Sequence, residues 1–146
     1  MEYTDPEGFN YFKKDLPEVS KEKKQLVSDI WSIMLVQTEK MREKYPVLAL
    51  GGRPLRTIEE TNWPSVETYQ KSELLTYSEK TLIALLNHIK ALQTEGIDIA
   101  YKIQENSILC LGYKTMEEAE LAMAAQFMQE MGITAEEGCP TCVMPE

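Results

Sequence analysis

A helical repeat of apolar residues over residues 20–45 constrains the fold of this chain more than any other feature. Its apolar side chains recur every three or four residues, so they lie on one face of a helix of about six turns. They are Leu26, Ile30, Ile33, Met34 and Met41, with Val27, Trp31 and Leu35 widening the stripe. Ser20 is a suitable N-cap residue, and Pro46 predicts that the helix ends near Tyr45. Strands are not expected, because no stretch shows sustained alternation of apolar and polar residues.

The same signals predict four more helices after a long loop. Residues 47–64 contain two glycines and two prolines, which break a helix, and an ordered loop of this length is often functional. The later helices are predicted from Ser65 to Leu75, from Ser78 to Gly96, over 97–111 and from Thr115 to Gly132. We therefore predict an all-α fold, a compact bundle of five to six helices over residues 1–132 with a long Gly/Pro loop. A flexible, acidic tail over residues 133–146 is predicted to follow it.

The charge of the chain argues against several classes of partner. The 146 residues carry a net charge of −9, which repels phosphate backbones and anionic lipid, so nucleic acid and membrane surfaces are not expected partners. No apolar run reaches the roughly 18 residues of a membrane span, and the start lacks a signal-peptide pattern, so a cytoplasmic location is expected. From Thr115 to Glu146 there are seven Glu and no Lys or Arg. A solvated helix face explains most of this acidity, and a docking surface for a basic partner is the alternative.

The tail carries a CxxC motif, Cys139 and Cys142, which can close a disulfide or bind a soft metal. A zinc or iron–sulfur centre needs further ligands, which Cys110 and His88 could supply within one chain, or a second CxxC in another copy. Reversible dithiol chemistry is a second interpretation. The third is an acidic end with incidental cysteines, since the motif follows no strand and opens no helix, unlike the thioredoxin-type motif.

The two additional candidate ligands also have plainer interpretations. Cys110 lies in the apolar run 108–111, which predicts a buried and inert thiol. His88 is the only histidine, and its neighbours Leu86 and Ile89 indicate a residue on a helix at the edge of the core. A structural role for His88 is favoured over that of a general base.

The loop from Gly51 to Thr57 is the second candidate site. Its two glycines let backbone amides approach a ligand, and Arg53 and Arg56 could clamp a carboxylate or a phosphate. Four other polar side chains could surround such an anion: Tyr69, Tyr77, Tyr101 and Asn106. The loop lacks the Lys-Ser/Thr ending and the preceding strand of a P-loop, so nucleotide hydrolysis is not expected. In the favoured alternative, the arginines fasten the loop to the helices by pairing with acids such as Glu59, Glu60 or Glu73.

Several phrases of the sequence resemble those of a known family. The chain contains, in this order, GGRPLRTIEET, ETYQKSELLTYSEKTL, EGIDIAYKIQENS and GYKTMEEAE. These phrases resemble the C-terminal half of the bacterial domain-of-unknown-function family numbered 4125, and the opening MEYTDPEGF resembles the linker before that half. The likeness covers about residues 1–120 and leaves out the CPTC tail. It implies an all-α fold and no particular activity. Because longer members carry a related upstream unit, it also implies that a second copy of the chain replaces that unit in a two-fold homodimer.

Three functional hypotheses remain open from the sequence. The leading one is a small cytoplasmic binding or accessory protein whose C-terminal CxxC is offered to a metal, a cluster or a redox partner protein. The first alternative is an enzyme that binds a small anionic substrate at the Gly51–Arg56 loop. The second alternative is a helical recognition domain whose tail is modified by another enzyme. The sequence does not decide whether the protein is an enzyme.

Overall fold

A computed structural model describes residues 6–15, 18–50, 52–60 and 63–132. The α-helices in these residues are α1 (Pro6–Lys13), α2 (Lys21–Lys44), α3 (Pro46–Leu50), α4 (Val66–Leu74), α5 (Glu79–Thr94), α6 (Ile99–Cys110) and α7 (Met116–Glu130). A 3-10 turn covers Thr57–Glu59, and the described residues contain no strand. Without the five-residue α3, six helices remain, so the predicted all-α fold of five to six helices is confirmed. The tail over residues 133–146 lies outside the described residues.

Helix α2 is the central element of the bundle, and α3, α4, α5 and α6 all pack against it. It begins at Lys21 because the hydroxyl of Ser20 accepts a hydrogen bond from the Lys23 amide at 3.0 Å. It ends at Lys44, where Tyr45 is the C-cap and Pro46 cannot continue the hydrogen-bond ladder. Both predicted ends of this helix are confirmed.

The first half of α2 forms a large apolar core with α4 and α5. We call it the first cluster, and its buried members are Val27, Ile30, Trp31, Met34, Leu55, Leu74, Leu82, Leu86 and Ile89. Leu55 is the one buried member that comes from the loop rather than from a helix. The stripe predicted from the sequence therefore does face the core, and the loop is fastened to the core by an apolar side chain.

A smaller core lies at the other end of α2, where α6 and α7 pack. We call it the second cluster, and its buried members are Tyr45, Ile108, Met116 and Ala119. Helix α7 also packs on α3, which links the second cluster to the start of the loop. The two clusters are separate, and the space between them is where the candidate site lies.

Local capping accounts for most helix boundaries. The side chains of Ser65, Ser78 and Thr115 each accept a hydrogen bond from an amide of the first turn, as their positions predict. Gly112 ends α6 with a φ of 93°, a left-handed conformation that glycine adopts without steric cost. Asp98 caps α6 in the same way as the serines.

The start of the long loop differs from the prediction, because residues 46–50 form helix α3. Proline is tolerated at the first position of a helix, where no intrahelical amide bond is lost. The next two amides, of Val47 and Leu48, donate to the carboxylate of Glu120 on α7, each at 2.8 Å. A carboxylate from a distant helix therefore caps α3, and no local sequence pattern shows this. The helix at Pro6–Lys13 was likewise not predicted.

Candidate functional site

Carboxylates hold the loop after α3 in place by accepting hydrogen bonds from its backbone. Glu59 accepts from the amides of Leu55 and Arg56, at 3.0 and 3.1 Å. Glu60 accepts from the Ser65 amide at 2.7 Å. The side chains of Ser65 and Thr68, together with this amide, lower the pKa of the Glu60 carboxyl by hydrogen bonding. The sequence pointed to Glu59 and Glu60 as partners of arginine side chains. The structure gives them backbone partners instead, which leaves the guanidinium groups to other contacts.

Two of the predicted ligand-binding side chains already have carboxylate partners. Arg56 forms an ion pair with Glu39 of α2, and that partner raises the pKa of Arg56. The hydroxyl of Tyr77 donates to Glu73 at 3.0 Å, which raises the pKa of the Tyr77 phenol. Arg56 therefore fastens the loop to α2, whereas Tyr77 makes a local contact back to Glu73 of α4.

Arg53 has different surroundings from Arg56. Its guanidinium lies 5.6 Å from the centre of the Tyr69 ring and donates to the Pro64 carbonyl oxygen at 3.4 Å. Its own carbonyl oxygen accepts from the guanidinium of Arg42, on α2, at 2.9 Å. Within the described residues, neither Arg42 nor Arg53 forms a salt bridge. The structure thus brings Arg53 and Tyr69 together, and it adds Arg42, which the sequence did not indicate.

Arg42 and Arg53 both line a cleft of about 350 Å³, a volume in the usual range for small-molecule sites. The lining residues are Thr38, Met41, Arg42, Leu48, Ala49, Gly52, Arg53, Val66, Gln70, Ala100, Ile103, Gln104 and Met123. The cleft therefore combines two guanidinium groups with amides, one hydroxyl and an apolar wall. Such a lining can hold an anionic group and cover an apolar body beside it.

Backbone geometry and burial shape the cationic end of the cleft. A side chain at Gly52 would bring its Cβ to 3.2 Å from the Ala49 carbonyl oxygen, so a glycine lets the chain turn closely after α3. Partial burial lowers the pKa of Arg42, while the negative charge of Glu59 opposes that change.

A hydrogen bond between a tyrosine and a carboxylate lies at the second cluster, near the cleft. The buried Tyr45 hydroxyl donates to Glu117 at 2.5 Å, and Lys44 lies 4.8 Å from the centre of the Tyr45 ring. Burial, together with this hydrogen bond, raises the pKa of Tyr45 to about 12. The same bond lowers the pKa of Glu117. Tyr101, a predicted polar group of the anion site, packs against Tyr45 with ring centres 6.2 Å apart.

The structure describes two of the four candidate metal ligands, Cys110 and His88. Cys110 is exposed at the end of α6, so its predicted burial is wrong; Ile108 is the residue of that run that faces the core. His88 is exposed on α5. In the described part of the chain, no group of three or more His, Cys, Asp or Glu residues could hold a metal ion. Cys139 and Cys142 lie outside the described residues, so the metal, redox and tail-modification hypotheses stay predictions.

The fold and the site together define the class of this protein as a helical domain with an arginine-lined cleft. A family profile with the description "Protein of unknown function (DUF4125)" matches residues 6–121, and the chain belongs to this family. The predicted family is therefore confirmed, while the finer prediction of its C-terminal half is not well matched. Comparison with curated proteins found no match, and comparison with solved structures found none either. Among the helices of the described residues, none has the length and apolar character of a membrane span.

Proposed function

We propose that this protein binds a small organic anion in the cleft, with Arg42 and Arg53 holding the acidic group. One observation carries the proposal: two guanidinium-bearing residues line the same cleft, and neither has a salt-bridge partner among the described residues. The chain has more than enough acids to pair them, since it carries 24 Asp and Glu against 15 Lys and Arg. An external carboxylate or phosphate would supply the missing counter-charge.

The surroundings of the two cations support binding of an anion with an apolar part. Tyr69 stacks near the Arg53 guanidinium and restricts its position, which reduces the entropy lost when an anion binds. The amide side chains of Gln70 on α4 and Gln104 on α6 offer hydrogen-bond donors and acceptors in the lining. Apolar residues complete the lining, so a purely inorganic ion would leave much of the cleft unfilled.

A titration followed by amide NMR tests the proposal with butyrate and inorganic phosphate as probes. We expect saturable shifts for butyrate at amides of the cleft, such as Gly52 and Ala100. Arg53→Gln and Arg42→Gln should each weaken binding about tenfold or more, because each removes a charge-assisted hydrogen bond. Absence of saturable binding for both probes would overturn the proposal.

Two further variants make this test specific. Lys102→Gln removes one positive charge from α6 at a residue paired with Glu105, and its affinity should match that of the wild type. Arg56→Gln tests the clamp predicted from the sequence, in which Arg53 acts with Arg56. If Arg56 proves necessary and Arg42 does not, the assignment of the anion to this cleft is wrong. An enzyme acting on an anion at the same loop stays the second hypothesis.

From the sequence we also propose a cytoplasmic homodimer. Exposed apolar side chains at the α6–α7 end, Leu109, Leu111 and Leu121, support the homodimer because they are available to an interface. Size-exclusion chromatography with light scattering tests it. A mass equal to that of one chain at micromolar concentration would contradict it.

A further inference from the structure

A second cavity lies beside the cleft, on the other side of Met123. It has a volume of about 200 Å³ and is lined by Val47, Leu50, Met123, Gln126, Phe127 and Glu130. Met123 is the residue that both cavities share, and α3 contributes residues to each of them. The two cavities are thus neighbours that share Met123 and border on the same short helix, α3.

The apolar lining of the second cavity includes side chains that the fold leaves uncovered. The inward face of α7 begins with the buried Met116 and Ala119 and continues through the half-buried Met123. One turn later on the same face, Phe127 is 49% exposed, and Leu50 opposite it is 68% exposed. The core-facing stripe of α7 therefore extends beyond the second cluster, and its end is left half exposed.

A methionine such as Met123 can act as a movable wall between the cleft and the second cavity. Its side chain is unbranched and has three rotatable bonds, so it can change rotamer without displacing the backbone. Movement of Met123 would join the cationic cleft to the apolar cavity. The far end of the joined space is polar and negative, where Gln126 donates to Glu130 at 2.9 Å.

The geometry points to an elongated amphipathic anion as the ligand, with one acidic head group and an unbranched apolar chain. The head binds at Arg42 and Arg53, and the chain passes Met123 to cover Leu50 and Phe127. This inference rests on the proposed function and specifies its ligand. A second acidic group at the end of the chain is disfavoured, because it would lie near Glu130.

A chain-length series tests the inference, using butyrate, hexanoate and octanoate below micelle-forming concentrations. Affinity should rise by up to about fourfold for each added methylene that becomes buried. Octanedioate should bind more weakly than octanoate. Octyl phosphate serves as a second head group and should show the same gain over inorganic phosphate.

Variants along the path of the chain separate this inference from the proposed function. Met123→Trp should reduce the affinity for octanoate to that for butyrate. Phe127→Gln is a second variant on the same path, and it leaves the core intact because Phe127 is exposed. Met128→Gln is the control, since Met128 is 41% exposed on α7 beside Phe127 and lines neither cavity. Equal affinity for butyrate and octanoate would overturn the inference and leave the proposed function standing. If the wild-type protein binds none of these carboxylates, both the inference and the proposed function are wrong.

Discussion

The first and second clusters stabilise the bundle in different ways. The first cluster is built from apolar side chains of α2, α4 and α5, with Leu55 from the loop. The second cluster is smaller and includes Tyr45, whose hydroxyl needs Glu117 as a hydrogen-bond partner. Helix α3 beside it is capped by another carboxylate, that of Glu120. Polar contacts therefore position the elements around the cleft, whereas close apolar packing supports the other end of the bundle.

The boundary between the clusters contains a buried polar residue. Gln37 of α2 is buried, and its side-chain oxygen accepts from the Ala100 amide in the first turn of α6 at 3.4 Å. Such a contact satisfies an amide that the helix itself leaves free. It also interrupts the apolar stripe of α2 where the stripe passes from one cluster to the other. The cleft opens on this part of α2, since Thr38, Met41 and Arg42 all line it.

The largest expected effect is on the first cluster. Leu82 is fully buried, so Leu82→Ala should lower the free energy of unfolding by about 2–5 kcal/mol through lost burial and the cavity left behind. Urea unfolding followed by circular dichroism measures this loss. The neighbouring Ile83 is 49% exposed on the same helix, and Ile83→Ala should cost well under half as much. Similar costs for the two variants would show that the first cluster is not the main apolar core.

A smaller effect is expected where a carboxylate caps α3. Glu120→Ala removes the acceptor of two backbone amides and should lower the free energy of unfolding by about 1–3 kcal/mol. It should also weaken butyrate binding, because Leu48 and Ala49 of α3 line the cleft. Denaturant unfolding and the NMR titration measure the two effects.

Glu120→Gln is the matched control for this cap, because its amide oxygen still accepts a hydrogen bond. It should lose less stability and less affinity than Glu120→Ala. If Glu120→Ala leaves both quantities unchanged, α3 is held by its apolar contacts with α7 rather than by the carboxylate.

Local signals in the sequence predict the helices well and the candidate site poorly. Caps and helix-ending glycines act within a few residues, so the positions of Ser20, Ser65 and Gly112 are readable. The cap of α3 is not readable, because Glu120 lies 72 and 73 residues from the amides it accepts from. Arg42 was missed for the same reason, since nothing near it in sequence indicates that α2 meets the loop at Arg53.

Cys110 shows a different limit of reading a sequence. An apolar run of four residues predicts burial of the whole run, but a helix turns by about 100° at each residue. Ile108 therefore faces the second cluster while Leu109 and Cys110 face outward. The packing of α6 against α2 and α7 determines which residue of the run is covered.

The smallest expected effect concerns the pH dependence of the second cluster. Tyr45→Phe keeps the ring packed on Tyr101 and removes the hydrogen bond to Glu117. The folded-state pKa of Glu117 is lowered, so its stabilising contribution is present above an unfolded pKa of about 4.3 and is lost as the pH falls through the folded pKa. The folded-state pKa of Tyr45 is raised to about 12, so its contribution is present below pH 10 and is lost as the pH rises toward 12.

Wild type should therefore exceed Tyr45→Phe in stability most clearly near pH 7, and the difference should shrink below about pH 4 and above about pH 10. Urea midpoints of both proteins at pH 3, 7 and 11 measure this difference. Tyr113→Phe is a suitable control, because Tyr113 packs against the same cluster while Tyr45 supplies the hydroxyl that donates to Glu117. A stability difference that stays constant from pH 3 to pH 11 would mean that the hydrogen bond between Tyr45 and Glu117 does not stabilise the second cluster.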